Sequence, residues 1–127
     1  YIYCDGKNGF IEYLVQVKRH DKPTICKTYD HQFDLTLGIE YSSPDSRPLQ
    51  LYINDDLKLK NICDETIKTS YDQAAAWRIY QLEVQSSSCR LRLSREVDIY
   101  EFTLKLQTDG YFPHIRSIML MEYEPVH

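Results

Sequence analysis

The sequence predicts an α+β fold: one N-terminal helix packed on a twisted antiparallel β-sheet and stapled by disulfides. Three observations carry this. Phe10, Leu14 and Val17 recur at helical spacing, as do Ile11 and Val15. Phe33, Leu35, Leu37, Ile39 and Tyr41 alternate with polar residues, the period of a half-buried strand. Cys4, Cys26, Cys63 and Cys89 form an even set, as in a secreted, cross-linked domain.

The elements follow in order. Asn8 suits the cap of a helix beginning near Phe10, and Lys18, Arg19 and His20 suit its last turn. Pro23 blocks continuation. The competing reading of this segment is a strand, because Val15 and Val17 also alternate with polar residues. A strand at Phe33–Tyr41 ends in the turn chemistry of Ser42-Ser43-Pro44-Asp45-Ser46. Leu49, Leu51 and Ile53 give the next strand, closed by Asn54-Asp55-Asp56. Leu57 to Ala76 is mixed, with room for one helical turn after Asp64. Trp77 to Val84 reads as a strand broken by Ser86-Ser87-Ser88. Arg90 to Ser94 and Val97 to Leu106 form a hairpin, Thr108-Asp109-Gly110 turns, and Ile115 to Tyr123 is the last strand. One helix followed by five or six strands is an α+β arrangement.

The 127 residues are expected to form a single domain, 1–127, long enough to bury a core of its own. The chain starts at Tyr1 rather than methionine, as a processed product would. Four cysteines allow three pairings. Cys4–Cys89 with Cys26–Cys63 is favoured, because the first bond ties down the N-terminal end. Four reduced cytosolic thiols are the alternative. No C-x-x-C half-site is present, so no metal is expected. A net charge of −4 disfavours a whole-molecule attraction to nucleic acid or anionic membranes. No run approaches the length of a membrane span, and no Asn-x-Ser/Thr acceptor occurs.

Little in the sequence points to catalysis. Glycine-rich phosphate loops, G-x-S-x-G and H-E-x-x-H are all missing, and no cofactor is expected. The carboxylate pairs Asp55-Asp56 and Asp64-Glu65 read as solvated turns, since neighbours on an extended chain point apart. His31 and His114 open strands, while His20 and His127 lie at ends. Arg90 and Arg92 share one strand face, with Leu91 and Leu93 on the other. With Arg95 and Lys105 extending the stripe and Tyr80, Tyr100 and Tyr111 near it, they would form a candidate binding face, because arginine and aromatic rings hold single-stranded nucleic acid by charge and stacking; the alternative is an ordinary solvated sheet face.

The order of these features resembles the fungal guanyl-specific ribonucleases, and more closely the ribonuclease-like effectors secreted by powdery mildew fungi. Tyr1-Ile2-Tyr3-Cys4-Asp5-Gly6 is similar to the aromatic-x-Cys start of those effectors, although the aromatics sit one and three positions before the cysteine. Tyr29-Asp30-His31 resembles the family's Tyr-Pro-His, which carries a catalytic histidine. Ala75-Ala76-Trp77-Arg78 resembles the strand of the active-site arginine. Aligning Pro48 with the family's proline puts Ser46 in place of the catalytic glutamate. No histidine falls between His31 and His114, so the second catalytic histidine is also missing. The resemblance implies a pseudoenzyme, with His31 and Arg78 as catalytic remnants. Loss of one good acid–base group costs roughly 10²–10⁴-fold.

On this resemblance the chain is a secreted monomeric virulence effector acting in the host cell cytoplasm. Its partner would be a host plant protein, an immune receptor or RNA, and it would not engage a membrane. Two alternatives stand beside it. One is an active secreted ribonuclease using His31 and Arg78 with Asp30 or Glu83. The other is an unrelated extracellular β-rich module that binds glycan, lipid or protein, which the eleven tyrosines fit equally.

Overall fold

In a computed structural model the described residues are 2–3, 9–19, 32–68, 75–93 and 97–122. They form β1 (Ile2–Tyr3), β2 (Phe10–Arg19), β3 (Gln32–Ser42), β4 (Leu49–Ile53), β5 (Asp56–Ile62), β6 (Ala76–Gln85), β7 (Arg90–Arg92), β8 (Asp98–Gln107) and β9 (His114–Glu122). A single turn of 3₁₀-helix, Ser86–Ser88, separates β6 from β7. No α-helix occurs among the described residues.

The strands build two antiparallel sheets. The larger runs β1-β2-β8-β4-β5. In it β7 pairs with Ile99–Glu101 of β8, while β4 pairs with 104–107 farther along the same strand. The smaller runs β6-β3-β9. Residues opposite each other in an antiparallel pair share a face. Phe33, Leu35, Leu37, Ile39 and Tyr41 of β3 therefore face inward together with Leu82 and Val84 of β6. Leu49, Leu51 and Ile53 of β4 face inward with Leu104 and Leu106 of β8. One hydrophobic cluster draws on both sheets, so the architecture is a β-sandwich.

The expected N-terminal helix is a strand. All ten residues of β2 pair with β8, which brings Ile11, Val15 and Val17 opposite Leu106, Phe102 and Tyr100. The helical spacing of Phe10 and Leu14 arises because both lie on the outer face, where Leu14 is 63% exposed. Three β-branched residues favour the pleated form, and an isolated helix this short is marginal in water. Asn8 and His20, the expected ends of the helix, lie outside the described residues.

The disulfide framework is also corrected. Cys63 is a buried free thiol, so the Cys26–Cys63 bond is not formed. The Cys63 amide donates to Tyr80 Oη at 2.8 Å, and that hydroxyl donates to Cys63 Sγ at 3.7 Å. The thiol of Cys89 donates to the Gln85 carbonyl at 3.5 Å. Cys4 and Cys26 lie outside the described residues, and among the described ones no disulfide is present.

Two sheets face to face are not a helix packed on one sheet. The resemblance to ribonucleases therefore fails at the level of architecture. The virulence-effector reading, with its host receptor and cytoplasmic site of action, rested on that scaffold and falls with it. Among the described residues no helix is long and apolar enough to cross a membrane.

Candidate functional site: a polar cleft at one end of the sandwich

Two loops meet where β3 and β8 end and β4 and β9 begin. Both are rich in turn-forming residues, and neither can be a strand where proline removes a ladder donor. The first loop is pinned at its base. Buried Ser43 exchanges backbone hydrogen bonds with Ile67 at 2.7 and 2.9 Å, and its hydroxyl donates to the Asp45 carbonyl at 2.6 Å. Ser46 Oγ donates to the Asp64 carbonyl at 2.7 Å.

Arg47 ties the two loops together. Its Nε donates to Asp45 Oδ1 at 2.6 Å and its Nη1 to the Phe112 carbonyl at 3.0 Å. The guanidinium lies 5.7 Å from the centre of the Tyr111 ring, a cation–π contact that steadies an otherwise exposed side chain. In the second loop the Gly110 amide donates to Thr108 Oγ1 at 3.2 Å.

The floor comes from the β4–β5 hairpin. Gln50 Nε2 donates to Asn61 Oδ1 at 2.9 Å, and the Asn61 amide returns a bond to Gln50 Oε1 at 3.2 Å. Asn61 has φ 54°, a left-handed conformation that asparagine tolerates better than most residues. The resulting cleft has a volume of about 310 Å³ and is lined in part by Asp45, Arg47, Gln50, Asn61, Asp109 and Tyr111. It offers one aromatic face, two fixed amides and two carboxylates. Of those carboxylates, Asp45 is already committed to Arg47, while Asp109 is exposed. It holds no histidine or cysteine, and among the described residues no cluster of metal-ligating side chains is present.

Of the residues the sequence places at a binding face, Tyr111 lines this cleft; the others among the described residues lie elsewhere and are not gathered. Arg90 and Arg92 do share the outer face of the larger sheet and are exposed. Arg92 pairs with Glu101 at 2.5 Å, and Gln16 Nε2 donates to the same carboxylate at 2.9 Å. Tyr100 lies opposite Leu91, on the inner face, with its ring edge-on to Phe33 at 5.0 Å. Tyr80 also points inward, to Cys63. Arg78 grips Glu65 with two bonds, Nε–Oε1 at 2.7 Å and Nη2–Oε2 at 2.8 Å. That guanidinium holds the Glu65 carboxyl below the usual carboxylate range. His31 and Arg95 lie outside the described residues.

Two apolar features stand apart from the cleft. On the outer face of the smaller sheet, Met119 Cε, Trp77 Cζ3 and Ile79 Cδ1 close over Gly38, at 3.2, 3.3 and 3.4 Å from where a Cβ would stand. Trp77 nevertheless remains 44% exposed. Between β2 and β9 the sandwich opens into a cleft of about 430 Å³, lined by residues including Tyr13, Val15, Leu37 and Ile118. Partial burial there pushes the Tyr13 phenol above its ordinary value.

The cleft residues were only partly legible. Both loops are visible as turn chemistry, but Gln50 and Asn61 are eleven positions apart and meet only through the hairpin. The register between β4 and β5 is irregular, so alternation along β5 does not say which of its residues comes to lie against Gln50.

No family model matches the chain, and no curated protein matches it in sequence. Among solved structures it is similar to a carbohydrate-binding module of family 35 from Paenibacillus barcinonensis. The identity is 18% and the TM-score 0.49, over 91% of this chain and 72% of that one. It is also similar to a family 35 carbohydrate-binding module from an environmental isolate. There the identity is 11% and the TM-score 0.45, over 92% of this chain and 68% of that one.

Proposed function

We propose that the chain is a non-catalytic binding module whose ligand is a glycan held in the loop-end cleft. The observation that carries this is Tyr111, 56% exposed on the wall of a cleft whose floor is the paired amides of Gln50 and Asn61. A sugar ring has an apolar C–H face and a rim of hydroxyls. The electron-rich face of a tyrosine suits the first, and amides and carboxylates with both donor and acceptor atoms suit the second. A small number of fixed polar groups around a ring is the general form of a small-ligand site, and this volume is at the low end of the usual range.

The test is binding to a panel of immobilised and soluble glycans by the wild type, Tyr111→Ala and Asp109→Ala. A retained glycan whose affinity falls about tenfold or more in Tyr111→Ala is the expected result, as for an aromatic anchor. Retention unchanged in both variants, or no retention of any glycan, would sink the proposal.

A further inference from the structure

The cleft does not end at its floor. Gln50 lines it and also stands on the outer face of the larger sheet, directly opposite Gln107 of β8, which is in turn opposite Phe10 of β2. Two residues along β4, about 7 Å away, Tyr52 lies opposite Lys105. The Lys105 ammonium sits 5.0 Å from the centre of the Tyr52 ring and 6.0 Å from that of Phe10, held between them. Both rings are only half-buried. A continuous track thus leads from Tyr111 through the glutamines to a second aromatic station.

From this we infer that the ligand is an extended, uncharged glycan chain rather than a single terminal sugar, and that it runs from the cleft along the outer face of the larger sheet to Tyr52 and Phe10. The inference rests on the glycan reading of the cleft. Sheet side chains repeat along one face at a regular spacing, so a polymer of like units meets like contacts along it. Gln107 and Lys105 supply donors between the rings. The charge follows from the pairing. Arg47 is engaged by Asp45, and Lys105 lies 3.4 Å from Asp55, which leaves Asp109 in the cleft as a negative charge with no ion-pair partner among the described residues. A uronate or sulfate would meet like charge there.

The experiment is a titration of the whole chain with cello-, xylo- and manno-oligosaccharides from the monosaccharide to the hexasaccharide, with polygalacturonate as the charged probe. Wild type, Tyr52→Ala, Tyr52→Phe and Tyr111→Ala are compared, each checked for folding by its thermal melt. Affinity for at least one series should rise about tenfold from the disaccharide to the pentasaccharide, the worth of one more good contact. Tyr52→Ala should abolish that rise while leaving the disaccharide within about twofold of wild type. Tyr52→Phe should keep the rise, because the ring is retained. Affinity independent of length, a rise undiminished in Tyr52→Ala, or preference for polygalacturonate overturns the inference and leaves the cleft's glycan reading standing. If no saccharide of any length binds, both fall together.

Discussion

Cys63 is 1% exposed and has φ 55°, so a reactive atom is locked in a conformation that most side chains avoid. Burial pushes its thiol from an ordinary 9.0 up to about 11, against the smaller opposing pull of the Tyr80 hydroxyl. Burial raises Tyr80 as well, so both groups resist ionisation. The consequence for stability has a definite sign. The unfolded thiol loses its proton near pH 9, while the folded one holds it to about pH 11. The stabilisation is therefore complete below the lower value and is lost as pH rises through the upper one. Urea unfolding should show a loss of about 2 kcal/mol between about pH 8 and pH 11 that is absent in Cys63→Ala. Equal losses in the two proteins would mean that Cys63 is not the group responsible. Alternation did not reveal this cysteine, because it follows the last residue of β5 in a turn. Its role depends on a tyrosine seventeen positions away.

At the scale of elements, the β4–β5 hairpin shows why some strands were readable and others were not. Asn54 and Asp55 both have positive φ, 48° and 69°, the pattern of a two-residue turn matched to strand twist. Asn54 also bonds across to β8. Its amide donates to the Thr103 carbonyl at 3.0 Å, and its Oδ1 accepts from the Thr103 amide at 2.8 Å. Its Nδ2 donates to the Ser88 carbonyl. Asn54→Ala should cost about 2–3 kcal/mol in chemical denaturation, through the lost bonds and the strained φ. A change below about 0.5 kcal/mol would show that the turn is held by the strands alone. β3, β4, β6, β8 and β9 lie close to where period-two patterning puts them, because each turns one apolar face toward the core. β5 carries the alternation Leu57-Lys58-Leu59-Lys60, yet it buries only Ile62, so that alternation marks no core-facing strand. β2 carries two patterns at once, and its pairing with β8 decided between them.

At the scale of the whole molecule, the core lies between two sheets whose strands are far apart in sequence. Leu37 of β3 is 0% exposed and lies in one cluster with Leu104 of β8. Leu37→Ala should destabilise by roughly 2–5 kcal/mol, the range for a large-to-small change in a packed interior. Thermal or urea unfolding of that variant would check it. A cost under about 1 kcal/mol would mean that the nearby cleft between β2 and β9 lets the site collapse.

The sequence by itself determined the approximate places of β3, β4, β6, β8 and β9 and which face of each is apolar. These are local properties, since side chains alternate along any extended segment. It also determined where the loops fall, because proline, glycine, serine and aspartate act on their own backbone. Only the tertiary structure decided that the N-terminal segment is a strand rather than a helix, that Cys63 is a free thiol, and that Gln50, Asn61, Arg47 and Tyr111 share one cleft. Each of these depends on pairing between distant segments, and local spacing carries no record of which strand will become a neighbour.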